Sequence, residues 1–119
     1  MIVDVHCHFV PRSRVEGLPG FRAAPGLDSR DQLFYGERYL GHLVPRLTEP
    51  SILLEDMDRF GIDVRAVATG SWLFCYWADP DLGERFARTM NDGFAELARA
   101  HPRRIILICQ RNLHALSSG

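Results

Sequence analysis

The chain has 119 residues, of which 46% are hydrophobic and 24% charged, and its formal net charge is -1. This length allows one domain at most, and the composition is that of an ordinary globular protein. Because the charge is near zero and no basic run occurs, the sequence gives no indication of a nucleic-acid partner or of an anionic membrane surface.

The cysteines indicate the compartment. Cys7, Cys75 and Cys109 are odd in number and form no CxxC motif, which favours a reducing compartment over a disulfide framework. The first residues do not have the basic and long apolar regions of an export signal, and no apolar run approaches the length of a membrane span. We therefore expect a cytoplasmic protein with no membrane partner.

The first predicted element is a strand over about residues 2–7, which leads into two histidines at i and i+2. Because strand side chains alternate, His6 and His8 should share a face with Asp4, whereas Cys7 should point to the opposite face. Ligands of α/β proteins gather at the carboxyl ends of such buried strands. The pair is therefore a candidate half of a metal site, and two loop histidines without a ligand are an equally weighted alternative on pattern alone.

The next segment, residues 9–48, is rich in Gly and Pro and has no strong period, so we expect a long loop or lid with a short hairpin around Gln32 to Leu40. A helix should follow from about Pro50 to the stop at Gly61. Its apolar stripe would consist of Leu53, Leu54, Met57 and Phe60.

The second half of the chain predicts two more strands, over Ile62 to Thr69 and Arg104 to Cys109, separated by a helix from about Leu82 to Ala100. That helix has an apolar residue about every fourth position, as a core-facing helix does: Leu82, Phe86, Met90, Phe94 and Leu97. The βαβαβ order predicts a parallel sheet with right-handed crossovers.

Three motifs along the chain are similar to one known family: VDVHCHFVP at 3–11, DMDRFGIDV at 56–64, and Asn91-Asp92 leading to HPRR at 101–104. They resemble the amino-terminal third of the amidohydrolase superfamily (amidohydrolase-related proteins). In addition, FCYWADP at 74–80 is similar to a loop of its aminocarboxymuconate-semialdehyde decarboxylase branch. The resemblance covers residues 1 to about 105. It implies an α/β fold in which residues 1–109 form the amino-terminal βαβαβ portion of a (β/α)8 TIM-type barrel, incomplete in this chain, followed by a tail at 110–119.

The resemblance also implies a metal centre. His6 and His8 match the family's first two metal ligands, and zinc, or another divalent metal, is the implied cofactor. The family completes its site with a histidine and an aspartate from later strands. The remaining histidines, His42, His101 and His114, match none of those positions. Since a catalytic zinc needs about three protein ligands, we expect this chain to be an inactive fragment on its own.

Several other residues each allow a functional and a structural interpretation. Arg46 lies near the position where the decarboxylases carry an arginine that contacts the substrate carboxylate, although a plain surface arginine is favoured. Phe74, Tyr76 and Trp77, with Trp72, are candidates for an aromatic substrate pocket or for packing at the barrel rim. Cys7 could in principle bind zinc, but strand alternation turns it away from the histidines, so a structural thiol is favoured. Asp4 could orient His6 or be a hydrogen-bonded carboxylate with no metal role.

The leading functional hypothesis is a metal-dependent decarboxylase that acts on a small unsaturated or aromatic carboxylic acid. The resemblance also implies that the full-length enzyme forms a homodimer. The alternatives are a metal-dependent hydrolase, as in most of the superfamily, and a catalytically inactive fragment or interaction module. The inactive fragment should expose apolar surface, because three strands leave an open sheet edge.

Overall fold

The computed structural model describes residues 1–27, 30–70 and 78–108 of the chain. Over these residues the elements follow one another in this order: β1 (Val3–His8), α1 (Arg12–Glu16), β2 (Phe21–Pro25), β3 (Asp31–Tyr35), β4 (Arg38–Leu43), α2 (Pro45–Thr48), α3 (Pro50–Phe60), β5 (Val64–Ala68), α4 (Pro80–Ala100) and β6 (Ile105–Leu107). The protein is therefore a mixed α/β structure.

A parallel sheet carries the strands predicted from the sequence, in the spatial order β1-β5-β6. The small side chains of β5 suit this central place, where Ala66 and Val67 are both buried. The βαβαβ prediction is thus confirmed for the parallel sheet, while its continuation into a (β/α)8 barrel stays a prediction.

Residues 9–48 are more regular than the predicted long loop. They contain an antiparallel sheet in the order β2-β3-β4, and the expected hairpin is its β3-β4 pair. A two-residue turn joins these strands, and Gly36 supplies the positive φ of 58° that such a turn requires. The hairpin prediction is thus confirmed. Strand β2 was not predicted, because its sequence FRAAP has one large apolar residue, Phe21, and no β-branched residue.

Helix α4 joins the two sheets through its predicted apolar stripe, all of which is buried. Phe86 packs against Phe21 of the antiparallel sheet at a ring-centroid distance of 5.3 Å, and Phe94 packs against Phe9, just after β1, at 6.4 Å. In α3 the prediction holds for Leu53 and Met57, which are buried, but Phe60 is 64% exposed. Phe60 is the last residue of its helix, next to the left-handed Gly61, where the apolar stripe no longer faces the core.

Within the described residues, helices cover one face of the parallel sheet and leave several apolar side chains of its strands exposed. Ile105 of β6 is buried in the core, whereas the next residue, Ile106, is 53% exposed, and Val5 of β1 is 72% exposed. Strand alternation explains the contrast in β6, because successive side chains point to opposite faces. Among the described residues, no helix is both long enough and apolar enough to cross a membrane.

Candidate metal centre

The carboxyl ends of the three parallel strands meet at one edge of the sheet. His8, the last residue of β1, lies opposite Ala68, the last residue of β5. The Phe9 N–H donates a hydrogen bond to the Ala68 carbonyl (3.3 Å), and the Ile108 N–H donates to the Val67 carbonyl (2.9 Å). The histidine pair is therefore at the edge where α/β proteins place their ligands.

The two histidine side chains are neighbours. Their ring centroids are 4.9 Å apart and the ring planes cross at 72°. A separation of this size is compatible with two imidazoles that share one ion at zinc–nitrogen distances of about 2.0–2.1 Å.

His8 adds a second observation. Its Nδ1 is buried and has no hydrogen-bond partner, and within the described part of the chain it is the one buried side-chain polar atom in that condition. A buried nitrogen left unpaired costs about 1–3 kcal/mol, so such atoms generally have a partner in the functional state. A histidine that binds a ligand through a ring nitrogen would leave that nitrogen without a protein partner, as His8 does.

The described residues provide two candidate ligands and no more. Across 1–27, 30–70 and 78–108, no group of three or more His, Cys, Asp or Glu side chains is close enough to hold a metal ion. Cys7, between the histidines in sequence, is opposite the buried Val67 and packs against the core. Burial is the main cause that raises the pKa of the Cys7 thiol, which disfavours the thiolate that would bind a metal. The pair is thus a candidate for part of a metal site.

Asp4 lies elsewhere than strand alternation predicts. Asp4 pairs with Arg65 and Cys7 pairs with Val67, so three steps along β1 correspond to two steps along β5. One extra residue, at Val5-His6, forms a β-bulge. The extra residue places Asp4 on the same face as Cys7, and its register partner Arg65 donates from Nε to Asp4 Oδ2 at 3.1 Å. Asp4 Oδ1 accepts a hydrogen bond from the backbone N–H of His6 (2.9 Å), not from its ring.

Arg46 lies close to the site in the chain path but is paired elsewhere. Its neighbour Leu47 accepts a backbone hydrogen bond from Val10 (2.8 Å), two residues after His8. The Arg46 side chain is 80% exposed, and its Nε lies 3.6 Å from Asp56 Oδ2 in α3. This placement agrees with a surface arginine and leaves a role toward substrate as a prediction.

The remaining candidates are away from the pair or outside the description. His42 lies in β4, with its Nδ1 2.8 Å from the Tyr39 hydroxyl, and His101 ends α4. The predicted aromatic pocket residues Phe74, Tyr76 and Trp77, with Trp72, lie outside the described residues, as does His114. Sequence reasoning missed Arg65, whose one signal was a charged residue within a strand of small apolar side chains.

The fold and the site together define an α/β protein with a histidine pair at the carboxyl end of a parallel strand. Over 114 residues it is 28% identical to 2-amino-3-carboxymuconate-6-semialdehyde decarboxylase of Caenorhabditis elegans. Over 110 residues it is 21% identical to the protein of the same name from Dictyostelium discoideum. Each match covers 87% of this chain but only 27% and 31% of the respective relative. The chain therefore spans less than a third of the length of these relatives.

No family model matches the sequence. The two relatives nevertheless carry the name of the decarboxylase branch that the motifs resemble. The similarity thus supports a decarboxylase-like protein at the level of the family.

Proposed function

We propose that this chain supplies the first two ligands of a divalent metal, zinc in the first instance, in a decarboxylase that acts on a small unsaturated or aromatic carboxylic acid. The observation that carries the metal is the close approach of the His6 and His8 rings, with the buried and unpartnered Nδ1 of His8. The names of the two relatives support decarboxylation, rather than the hydrolysis found in most of the amidohydrolase superfamily.

Loss of carbon dioxide leaves negative charge on the substrate, and a bound divalent metal supplies the Lewis acidity that stabilises such charge. The part of this chain is to hold two imidazoles at a fixed separation. Phe9 and Val10, directly after the pair, are buried, and their backbone N–H groups are bonded to Ala68 and Leu47. The segment that carries the ligands is therefore anchored on both β5 and α2.

Two further roles belong to the proposal. The Arg46 guanidinium would bind a substrate carboxylate after leaving Asp56, since their 3.6 Å pairing at an exposed position is weak. Phe74, Tyr76 and Trp77, which follow β5 in sequence, would contact the apolar part of the substrate. The full-length protein would take a small carboxylic acid as its substrate and form a homodimer.

Zinc titration by calorimetry, with the 119-residue chain, tests the metal. We expect one equivalent to bind to the unmodified chain and His6→Ala or His8→Ala to weaken binding at least tenfold, since each removes half of the ligand set. His42→Ala is the matched control, because it removes an exposed imidazole in the antiparallel sheet and should leave the affinity unchanged. Equal binding by the unmodified chain and both site variants would refute a shared metal.

A chimaera tests the reaction. In it, this chain replaces the aligned segment of the C. elegans relative, and release of carbon dioxide from the substrate in that relative's name is measured with and without zinc. We expect zinc-dependent release that His6→Ala abolishes, and none from the 119-residue chain alone. Cleavage of an amide or a lactone without release of carbon dioxide would replace the proposal by hydrolysis. A folded, zinc-loaded chimaera that does neither would favour an inactive module.

A further inference from the structure

The bulge in β1 affects the backbone hydrogen bonding of His6. The extra residue of a bulge is left out of the strand ladder, so a backbone N–H loses its partner on the neighbouring strand. In this chain the Asp4 carboxylate, two residues earlier, accepts the His6 N–H at 2.9 Å. A side chain thus replaces the missing ladder partner at a candidate metal ligand.

The same carboxylate is held from the other side. Asp4 Oδ2 accepts from Arg65 Nε at 3.1 Å, and only 15% of the Arg65 side chain and 27% of the Asp4 side chain are exposed. Hydrogen bonds between charged groups are about twice as strong as neutral ones, and partial burial limits their screening by solvent. Arg65, Asp4 and the His6 backbone therefore form a continuous chain of two charge-assisted hydrogen bonds from β5 to the bulge.

We infer that Asp4 and Arg65 are positioning residues that fix the bulge and thereby hold the His6 ring beside the His8 ring. The inference rests on the proposed function, because the ring pair that Asp4 and Arg65 hold in place is the proposed half of the metal site. The mechanism is independent of the metal. If the Asp4 carboxylate is removed, the His6 N–H is free and the bulge can relax toward a regular register, which moves the His6 ring relative to His8.

The first experiment needs no metal. Nuclear Overhauser contacts between the two imidazole rings and exchange of the His6 amide hydrogen are measured in the unmodified chain, in Asp4→Ala, in Asp4→Asn and in Arg65→Gln. In Asp4→Ala we expect the ring contact to be lost and the His6 amide to exchange about tenfold faster, because its charged acceptor is gone. Asp4→Asn keeps an oxygen acceptor and should restore most of the ring contact.

The control is Asp58→Ala. It breaks another carboxylate–guanidinium pair, Asp58 with Arg104 at 2.9 Å, away from the histidines, and should leave the ring contact and His6 exchange unchanged. If Asp4→Ala does not fold, Arg65→Gln decides, since loss of the Arg65 contact should also weaken the ring contact and speed His6 exchange. Unchanged ring contact and His6 exchange in the folded variants would overturn the inference.

A zinc titration of the same variants separates this inference from the proposed function. Outer groups that orient a ligating histidine typically contribute 10–100-fold to metal affinity, so we expect a loss in that range for Asp4→Ala and a smaller one for Asp4→Asn. If the unmodified chain binds no zinc, the proposed metal fails, yet the ring contacts still test the positioning. If zinc binds with equal affinity to the unmodified chain and to Asp4→Ala, the positioning role is wrong and the metal proposal stands.

Discussion

Gly93 in α4 lies where the helix meets the chain that leaves the histidine pair, and replacing it by alanine tests that contact. In an open helix the change would stabilise by about 1 kcal/mol, because glycine is a poor helix former. Here the added methyl carbon would lie 2.5 Å from Pro11 Cγ and 3.4 Å from Arg14 Cδ. A proline ring cannot rotate away, and Pro11 is buried, so helix α4 or the segment 9–11 must move.

Overpacking of this kind costs about 1–3 kcal/mol, which exceeds the gain in helix propensity. We therefore expect Gly93→Ala to be destabilising by about 1–2 kcal/mol and to lower the melting temperature by roughly 5 °C, measured by urea and thermal unfolding followed by circular dichroism. Thr89→Ala, one turn earlier on α4, adds no atoms and should change stability by less than about 0.5 kcal/mol.

A double-mutant cycle identifies the Pro11 ring as the cause. Pro11→Gly removes the atoms that the new methyl group meets, so the double variant should be less destabilised than the sum of the single changes by about 1–2 kcal/mol. Additive effects, or a Gly93→Ala variant more stable than the unmodified chain, would show that α4 and the segment after His8 are not in the close contact described.

Three further predictions concern a helix end, a thiol and an ion pair. Gly61 ends α3 with φ of 68°, and nothing lies within 4 Å of an added methyl group. Gly61→Ala should therefore lower the free energy of unfolding in urea by about 1 kcal/mol through backbone strain alone. An unchanged free energy of unfolding would contradict the left-handed cap. Burial raises the pKa of the Cys7 thiol above its usual 9.0. Alkylation of Cys7 by iodoacetamide at pH 8, followed by peptide mass mapping, should therefore be slower in the folded chain than in the urea-unfolded chain. Equal rates would argue against burial. Arg14 lowers the pKa of Glu96 from its usual 4.5 by a side-chain hydrogen bond between α1 and α4. The contribution of this pair is therefore present above pH 4.5 and lost as the pH falls through the lowered pKa, so the stability difference between the unmodified chain and Glu96→Gln should be larger at pH 7 than at pH 3.

The sequence was sufficient for the parts of the fold that have a strong period or a clear stop. The apolar residues of α4 recur about every fourth position, and all of the predicted stripe is buried. Gly61 ends α3 as expected, and the three parallel strands occur where their small or branched apolar residues predict them. These signals are local, so neighbouring residues alone determine them.

The antiparallel sheet and the β-bulge depend on contacts that are distant in sequence. The pairing of β2 with β3 is determined by core packing, such as that of Phe21 on Phe86 of α4, which no short window contains. The ion pair beside the bulge joins Asp4 to an arginine 61 positions further along the chain. Strict alternation therefore predicted the His6–His8 face but placed Asp4 on the wrong side of the strand.

The candidate site likewise has one part that the sequence predicts and one part that it does not. The histidine pair follows from an i, i+2 spacing at a strand end, and the two rings are neighbours. A third ligand cannot be predicted from residues that the motif does not contain, and none joins the pair among the residues that the structure describes.

The most direct test of a shared metal is the response of the imidazole nitrogens to zinc. In a titration followed by 15N-detected magnetic resonance, we predict that ring nitrogens of His6 and His8 shift together and reach their end points at one equivalent, while those of His42 and His101 do not move. A shift of only one of the two rings, or equal shifts of the other histidines, would contradict a metal held between His6 and His8.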